Sequence, residues 1–259
     1  MASNKFFKGI ALGALALQLV APALAFAEDG AATNTEDRPE ITSAQFCSRL
    51  ATFGSKIDEG MYNRETKLKA DRDARGTKME DKWSKRDAKL AGERSKRDEN
   101  IAAHFDKIES RDLTDAQKAA IEAFKAAYAA ALAARKSAVD AAIKTYRDGV
   151  ASITGTHQTS VDSLISTFRA AVKAAEDKAV ADCGAGVSMT TVRSTLIASI
   201  KSAKDALASG RKALDNRGDS IKPLVDARNA AVKAAMDAFK TAMESARTAL
   251  KAAFPEVQK

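Results

Sequence analysis

Histidine and cysteine are the side chains best suited to metal binding or nucleophilic chemistry, and this sequence has two of each. The cysteines are Cys47 and Cys183, and the histidines are His104 and His157. If the long helices described below pair through short loops, His104 faces the chain near residue 126, far from His157. The two histidines then cannot share one metal ion. We interpret both as structural or surface residues and expect no metal site.

The carboxylates and the one glycine-rich turn are no better candidates for catalysis. Asp, Glu, Lys and Arg recur at helical spacings, which is typical of i,i+4 ion pairs on a solvated face rather than of acid–base dyads. The segment Cys183–Gly186 has neither a preceding strand nor the GK[ST] ending of a phosphate-binding loop, and we interpret it as a turn between helices. We therefore expect a protein with no enzymatic activity and no cofactor.

The N-terminal residues have the features of a cleaved export signal. Lys5 and Lys8 form a basic n-region, Gly9–Val20 is a short apolar core, and an A-x-A cleavage site ends at Ala27. The apolar run is shorter than the roughly 20 residues that span a bilayer, which favours a signal peptide over a membrane anchor. Residues 28–41 are polar and acidic, and we expect a disordered linker there. We expect the mature protein in the periplasm, outside the cell or on its surface, with no integral membrane span.

Three long stretches of helical periodicity follow the linker. Thr42 with Gln45, and Thr114 with Gln117, form capping boxes that begin the first two helices. Gly184 is placed where a left-handed residue would end the second helix. The predicted helices cover about residues 43–111, 114–183 and 188–254, and residues 255–259 form a tail.

Composition and loop length together predict an all-α fold. The chain is rich in alanine and charged residues of both signs, and it has only 4 Pro and 13 Gly, which is typical of long helices or coiled coils. In the second helix apolar residues recur every eleven positions, close to the natural helical period, so the helices should be nearly straight. Short loops make consecutive long helices antiparallel. We expect an elongated up-down-up rod of three helices with an alanine-rich core.

The two cysteines fit this arrangement. If the first turn is centred near residue 115, Cys47 lies opposite position 183, which is the only other cysteine. We therefore predict a Cys47–Cys183 disulfide, formed in an oxidising compartment. Two free buried thiols, or pairing between chains, are the alternatives.

Three glycines share one level in the same arrangement. Gly76, Gly155 and Gly218 each lie in a different predicted helix and have polar neighbours. Because glycine inside a helix costs about 1 kcal/mol relative to alanine, this level is a possible hinge. Close helix packing at small residues is the alternative explanation.

The middle of the first helix, residues 67–97, is dense in charge and contains the only tryptophan of the chain. A tryptophan among charges is either a packed anchor or a partner contact. The word Ser-Lys-Arg-Asp occurs there twice, eleven residues apart. The possible partner-contact residues are Trp83, Lys85, Arg86, Lys96 and Arg97.

Two features resemble a group of exported bacterial proteins with long Ala/Lys/Arg-rich helices. One is the Phe46-Cys47 pair that opens a charged helix. The other is the word ARxxAVxAAxxx followed by an aromatic residue, at Ala134–Tyr146 and again at Ala227–Phe239. The resemblance implies the same helical architecture and no particular activity. A weaker resemblance, to periplasmic holdase chaperones with basic helical tentacles, lacks any match to their β-rich body.

These observations favour a structural or interaction protein. Its role would be a disulfide-tied scaffold, spacer or stalk in the cell envelope, with a protein or an anionic envelope polymer as partner and self-association as a further possibility. The alternative is a binding module, either chaperone-like or holding anionic polymers or extracellular nucleic acid through the basic middle of the first helix. Interspersed charges disfavour nucleic acid as the main partner.

Overall fold

The computed structural model describes residues 42–254, and these residues are almost entirely helical. The predicted signal peptide and linker before residue 42, and the tail after residue 254, lie outside the described residues. No strand occurs within the described part of the chain, so the predicted all-α class is confirmed there. The helices are α1 (Ser43–Glu109), α2 (Asp115–Gly184), α3 (Met189–Ala213) and α4 (Arg217–Ala252).

Both predicted capping boxes are present at the starts of α1 and α2. The backbone N–H of Gln45 donates to Oγ1 of Thr42 at 3.3 Å, and the N–H of Thr42 donates to Oε1 of Gln45 at 3.1 Å. Thr114 and Gln117 form the same reciprocal pair, at 3.3 and 3.0 Å. These bonds satisfy amide groups that have no partner inside the first helical turn, and so they fix where each helix begins.

The end of α2 differs from the prediction. Gly184 is still helical, and the residue with a left-handed backbone is Gly186, at φ 73°. The N–H of Val187 donates to the carbonyl of Asp182 and that of Gly186 to the carbonyl of Cys183, which is the Schellman pattern. With Gly186 in the left-handed position, both of these carbonyls are satisfied.

The predicted third helix is not continuous, because residues 214–216 interrupt it and separate α3 from α4. Leu214 and Asp215 bond back only three residues, and Asp219 bonds back to Asn216, so the chain tightens locally into 3₁₀-like turns. Asn216 begins α4 without a side-chain cap hydrogen bond. Asp, Asn and Gly have low helix propensity, and Pro223, inside α4, removes one backbone donor just beyond them. These preferences outweigh the apolar periodicity.

The chain divides into two compact units, and the dividing point in α1 is Gly76. Within the described part, unit 1 contains residues 42–75 and 167–205. Its core is apolar and comes from α1, α2 and α3. The core residues are Phe46, Leu50, Ala175, Ala179, Val192, Leu196 and Ile200. Cys47 and Cys183 pack against this core and form the predicted disulfide, with their Cα atoms 5.9 Å apart.

Unit 2 contains residues 76–166 and 206–254 and has a sparser core. Its buried side chains are Phe105, Ile121, Leu132, Ala142, Val150, Leu207, Ala235 and Met243. Between Gly76 and His104, α1 has no fully buried side chain. Apolar burial therefore contributes less to holding this part of α1 than it does in unit 1.

Ion pairs connect α1 to α2 within unit 2. Arg94 forms a bidentate pair with Asp140, at 2.8 and 2.9 Å, and Arg147 forms one with Asp87, at 2.6 and 2.7 Å. Lys136 donates to Asp98, and Lys125 donates to Glu109. A residue nearer the C-terminal end of α1 has its partner nearer the N-terminal end of α2. In unit 1, Glu65 with Arg169, at 2.9 Å, and the disulfide follow the same order.

Glu176 is the one buried charged residue of the described chain, with 7 % of its surface exposed. Its Oε1 atom has no hydrogen-bond partner, and its Oε2 atom lies 3.2 Å from where a Cβ on Gly54 would be. The missing side chain at Gly54 therefore leaves space for the carboxylate. Burial, reinforced by the charge of Asp58, raises the pKa of Glu176, while Lys173 opposes the shift and Asp177 adds to it.

Removing the disulfide should destabilise the protein. It joins cysteines 136 positions apart in the sequence, and the chain-entropy model gives about 5 kcal/mol as an upper value for such a loop. We expect the double variant Cys47→Ser/Cys183→Ser to lose about 3–5 kcal/mol of unfolding free energy in urea titrations. Reduced wild type should match the variant. A wild-type midpoint that does not move on reduction would contradict this expectation.

Replacing Glu176 by Gln should stabilise unit 1 at neutral pH. The raised pKa means that wild-type stability falls as pH rises from the ordinary carboxyl value through the raised one. The neutral amide avoids burying a charge, so we expect about 1 kcal/mol of added stability at pH 7 and a smaller difference near pH 4. The matched control Asp205→Asn, which breaks only an exposed pair with Lys201 in the same unit, should not stabilise. Equal behaviour of the two variants across pH would rule out the buried charge as the cause.

Candidate interaction surface

Trp83 belongs to the packing between α1 and α2. The side chain is half-buried, and the guanidinium carbon of Arg147 lies 5.2 Å from the centre of its ring. The same guanidinium forms the bidentate pair with Asp87 and holds the pKa of that carboxyl below its usual value. Trp83 is thus positioned as a packed anchor, with Arg147 between the aromatic ring and the carboxylate.

Arg97 also lies partly inside unit 2, close to Asp98 and α2. Its Nε atom is 3.9 Å from Oδ1 of Asp98, and both atoms are buried without a hydrogen-bond partner. Lys136 donates to the other oxygen of Asp98, and this hydrogen bond is the main reason that the pKa of Asp98 is lowered. Burial, together with the nearby charge of Arg97, lowers the pKa of Arg135. Arg97 is therefore part of a partly exposed charge cluster between α1 and α2.

The other three predicted contact residues, Lys85, Arg86 and Lys96, are exposed on α1. Two of them belong to a larger group, which we call the lysine stripe. Its members are Lys78, Lys82, Lys85, Lys89 and Lys96, all exposed. Successive members are four, three, four and seven residues apart, so at 3.6 residues per turn they occupy one sector of the helix about 60° wide. At about 1.5 Å per residue the stripe is about 27 Å long.

The lysine stripe is only partly neutralised. Lys89 approaches Glu93 at 3.8 Å, and within residues 42–254 the other four lysines form no ion pair. By contrast, every lysine of α2 lies within ion-pair distance of a carboxylate. The α2 pairs are Lys118–Asp115, Lys125–Glu109, Lys136–Asp98, Lys144–Asp148, Lys173–Asp177 and Lys178–Asp182. The stripe is therefore an unusual concentration of unpaired positive charge.

The repeated sequence word forms a contact that the sequence analysis missed. In the copy on α2, Arg135 lies over the ring of Phe239 at 4.3 Å. In the copy on α4, Arg228 lies over the ring of Tyr146 at 4.6 Å. Each copy therefore supplies the arginine that stacks on the other copy's aromatic residue, and the word is self-complementary. The equal spacing between the arginine and the aromatic residue in both copies is the sequence feature from which this contact could have been predicted.

The glycines of the possible hinge have open surroundings. A Cβ atom at Gly76, Gly155 or Gly218 would meet nothing within 4 Å, so close packing does not require glycine there. The tightly packed glycines of unit 2 are Gly149 and Gly210, where a Cβ would come within 2.7 and 2.5 Å of a leucine methyl group. The hinge itself stays a prediction.

The side-chain hydrogen bonds around Gly155 are of a kind that weakens a helical turn. The hydroxyl of Thr159 donates to the carbonyl of Gly155, and that of Ser160 donates to the carbonyl of Thr156. Such bonds compete with the helical amide for the same carbonyl and tend to bend helices. His157, in the same turn, is half-buried, whereas His104 on α1 is exposed.

Alanine substitutions should distinguish the glycines that have open surroundings from those that are tightly packed. Gly76→Ala and Gly155→Ala should each raise the unfolding free energy by up to about 1 kcal/mol and slow amide exchange in the surrounding turn. Gly149→Ala should raise the unfolding free energy by less, because the added methyl group meets the side chain of Leu224. Exchange around Gly155 that is already as slow as in the rest of α2 would exclude the hinge.

No group of three or more His, Cys, Asp or Glu side chains within residues 42–254 could hold a metal ion. In the same range, no helix is long and apolar enough to cross a membrane. Comparisons with known protein families, with characterised proteins and with solved structures find no match to this chain.

Proposed function

We propose that this chain is an exported, non-enzymatic structural protein that serves as a scaffold, spacer or stalk in the cell envelope. In this proposal the helices run antiparallel, up-down-up, as an elongated rod. The contacts between α1 and α2 support the antiparallel order. They extend from Cys47–Cys183 in unit 1 to Glu109–Lys125 in unit 2, and partner numbers fall on α2 as they rise on α1.

Helix length supports a role as a spacer. With 67 and 70 residues, α1 and α2 would each extend about 100 Å if straight. The interior uses small side chains such as Ala142, Ala175, Ala179 and Ala235, which allow close helix packing but bury little area for each residue. Such a design achieves length with few large apolar groups, as a spacer or stalk requires.

Export is supported by two independent features. The basic, apolar and A-x-A segments before Glu28 have the order of a secretory signal. The Cys47–Cys183 disulfide suits the oxidising compartments into which such signals direct proteins. We propose a periplasmic, secreted or cell-surface location on this basis.

Processing of the N-terminus tests the export proposal. When the full chain is expressed in a bacterium, mass spectrometry of the protein outside the cytoplasm should find Glu28 as its first residue and an oxidised Cys47–Cys183 pair. Ala27→Arg should block processing, because small residues are needed at the cleavage site. The matched variant Ala32→Arg should be processed normally. Unprocessed, reduced protein confined to the cytoplasm would contradict the proposal.

Solution scattering tests the proposed rod. A rod of these helices should have a maximum dimension of about 100 Å. A compact domain with a similar number of residues would instead have a radius of gyration of about 17 Å. A measured radius of gyration of that size would exclude a role as a spacer.

A further inference from the structure

The lysine stripe of α1 stands apart from the other charges of unit 2 in its chemistry as well as in its pairing. The bidentate pairs that join α1 to α2 in unit 2 use arginine forks, Arg94 with Asp140 and Arg147 with Asp87. The stripe contains lysine alone. A planar guanidinium holds a carboxylate or a phosphate in one fixed bidentate geometry, whereas an ammonium group is a mobile point charge that can follow the phosphates of a flexible chain.

The shape of the stripe favours a linear partner. Adjacent lysines from Lys78 to Lys89 follow each other about every 4.5–6 Å along the axis, so a chain with one negative charge for each backbone unit can contact them in turn. The sector is narrow, and Asp81 and Glu93 lie beside it. A flat bilayer surface would meet these carboxylates too. Nor does the stripe contain the large apolar residues that membrane-surface helices insert into lipid.

The stripe also lacks a platform for nucleobases. Proteins that bind single-stranded nucleic acid combine a basic track with exposed aromatic rings on which the bases stack. The nearest aromatic residue in the sequence, Trp83, is half-buried under Arg147 instead. A polymer held by this surface would therefore be recognised by its charged backbone and not by its bases.

We propose that the lysine stripe is a binding site for a linear, base-free phosphodiester polymer, such as a polyol phosphate chain of the cell envelope, held by its backbone charges alone. The site goes beyond the scaffold role and gives the scaffold a polymer to attach to. Lys78, Lys82, Lys85 and Lys96 contribute most, because Lys89 already approaches Glu93.

Fluorescence anisotropy of the full chain with a labelled 20-unit abasic oligonucleotide, which carries phosphodiesters without bases, tests the site. The affinity should fall with salt. The variant with Lys78, Lys82, Lys85 and Lys96 all changed to Gln should bind at least about tenfold more weakly, and its log–log salt slope should be smaller by about 3, from about 0.7 per lost contact. Glutamine has nearly the helix propensity of lysine, so the fold should be kept, as circular dichroism can verify.

The matched control changes four paired lysines to Gln, namely Lys144, Lys201, Lys222 and Lys233. It removes the same charge and should lower the affinity by less than about threefold. Equal loss in both variants would mean that net charge alone binds the probe, and the site would be rejected. Binding of oligothymidine tenfold tighter than the abasic probe, or tighter binding to 20-residue polyglutamate or to anionic phospholipid vesicles, would also overturn the proposal. Loss of the site would leave the scattering and processing tests of the scaffold unaffected.

Discussion

Charge pairs between α1 and α2 are the constraint on which unit 2 depends. From Gly76 to His104 no side chain of α1 is fully buried, so the hydrophobic effect holds this part of the helix less firmly than it holds unit 1. It is held by the pairs of Arg94 with Asp140, Arg147 with Asp87 and Lys136 with Asp98, and by the stacking of Arg147 on Trp83. Exposed single ion pairs contribute little, but bidentate arginine pairs in a network contribute more and also fix the register. The lysine stripe, on the exposed side of α1, takes no part in these pairs.

Unit 1 is stabilised by different interactions. Unit 1 contains the most completely buried side chains of the described chain, Val172, Val192 and Ile200, and the disulfide packs against its apolar core. The two units should therefore respond differently to pH. The lowered pKa values of Asp87 and Asp98 mean that unit 2 has its charge pairs above the ordinary carboxyl range and loses them as pH falls through the lowered values. The raised pKa of Glu176 has the opposite effect in unit 1, whose stability falls as the pH rises through the raised value.

Local signals with a clear physical mechanism could be predicted from the sequence. The capping boxes at Thr42 and Thr114 define helix starts because one side chain and one amide satisfy each other, and the cysteine pairing followed from placing the first turn. The choice between Gly184 and Gly186, and the break at residues 214–216, depend on how backbone carbonyls are satisfied in three dimensions. The exchange of arginines between the repeated words could not be predicted without knowing which faces meet. Trp83 shows the same limit, because its partner is 64 positions away in the sequence.

Hydrogen exchange as a function of salt tests most directly whether charge holds the middle of α1. Salt screens exposed ion pairs, with a Debye length that falls to about 3 Å at 1 M, and it does not weaken apolar burial. Amides of residues 76–104 should therefore exchange faster in 1 M than in 0.05 M sodium chloride, while amides of residues 45–61, beside the apolar core and the disulfide, should keep their protection. Protection of residues 76–104 that is independent of salt, or that falls equally in both segments, would contradict this account.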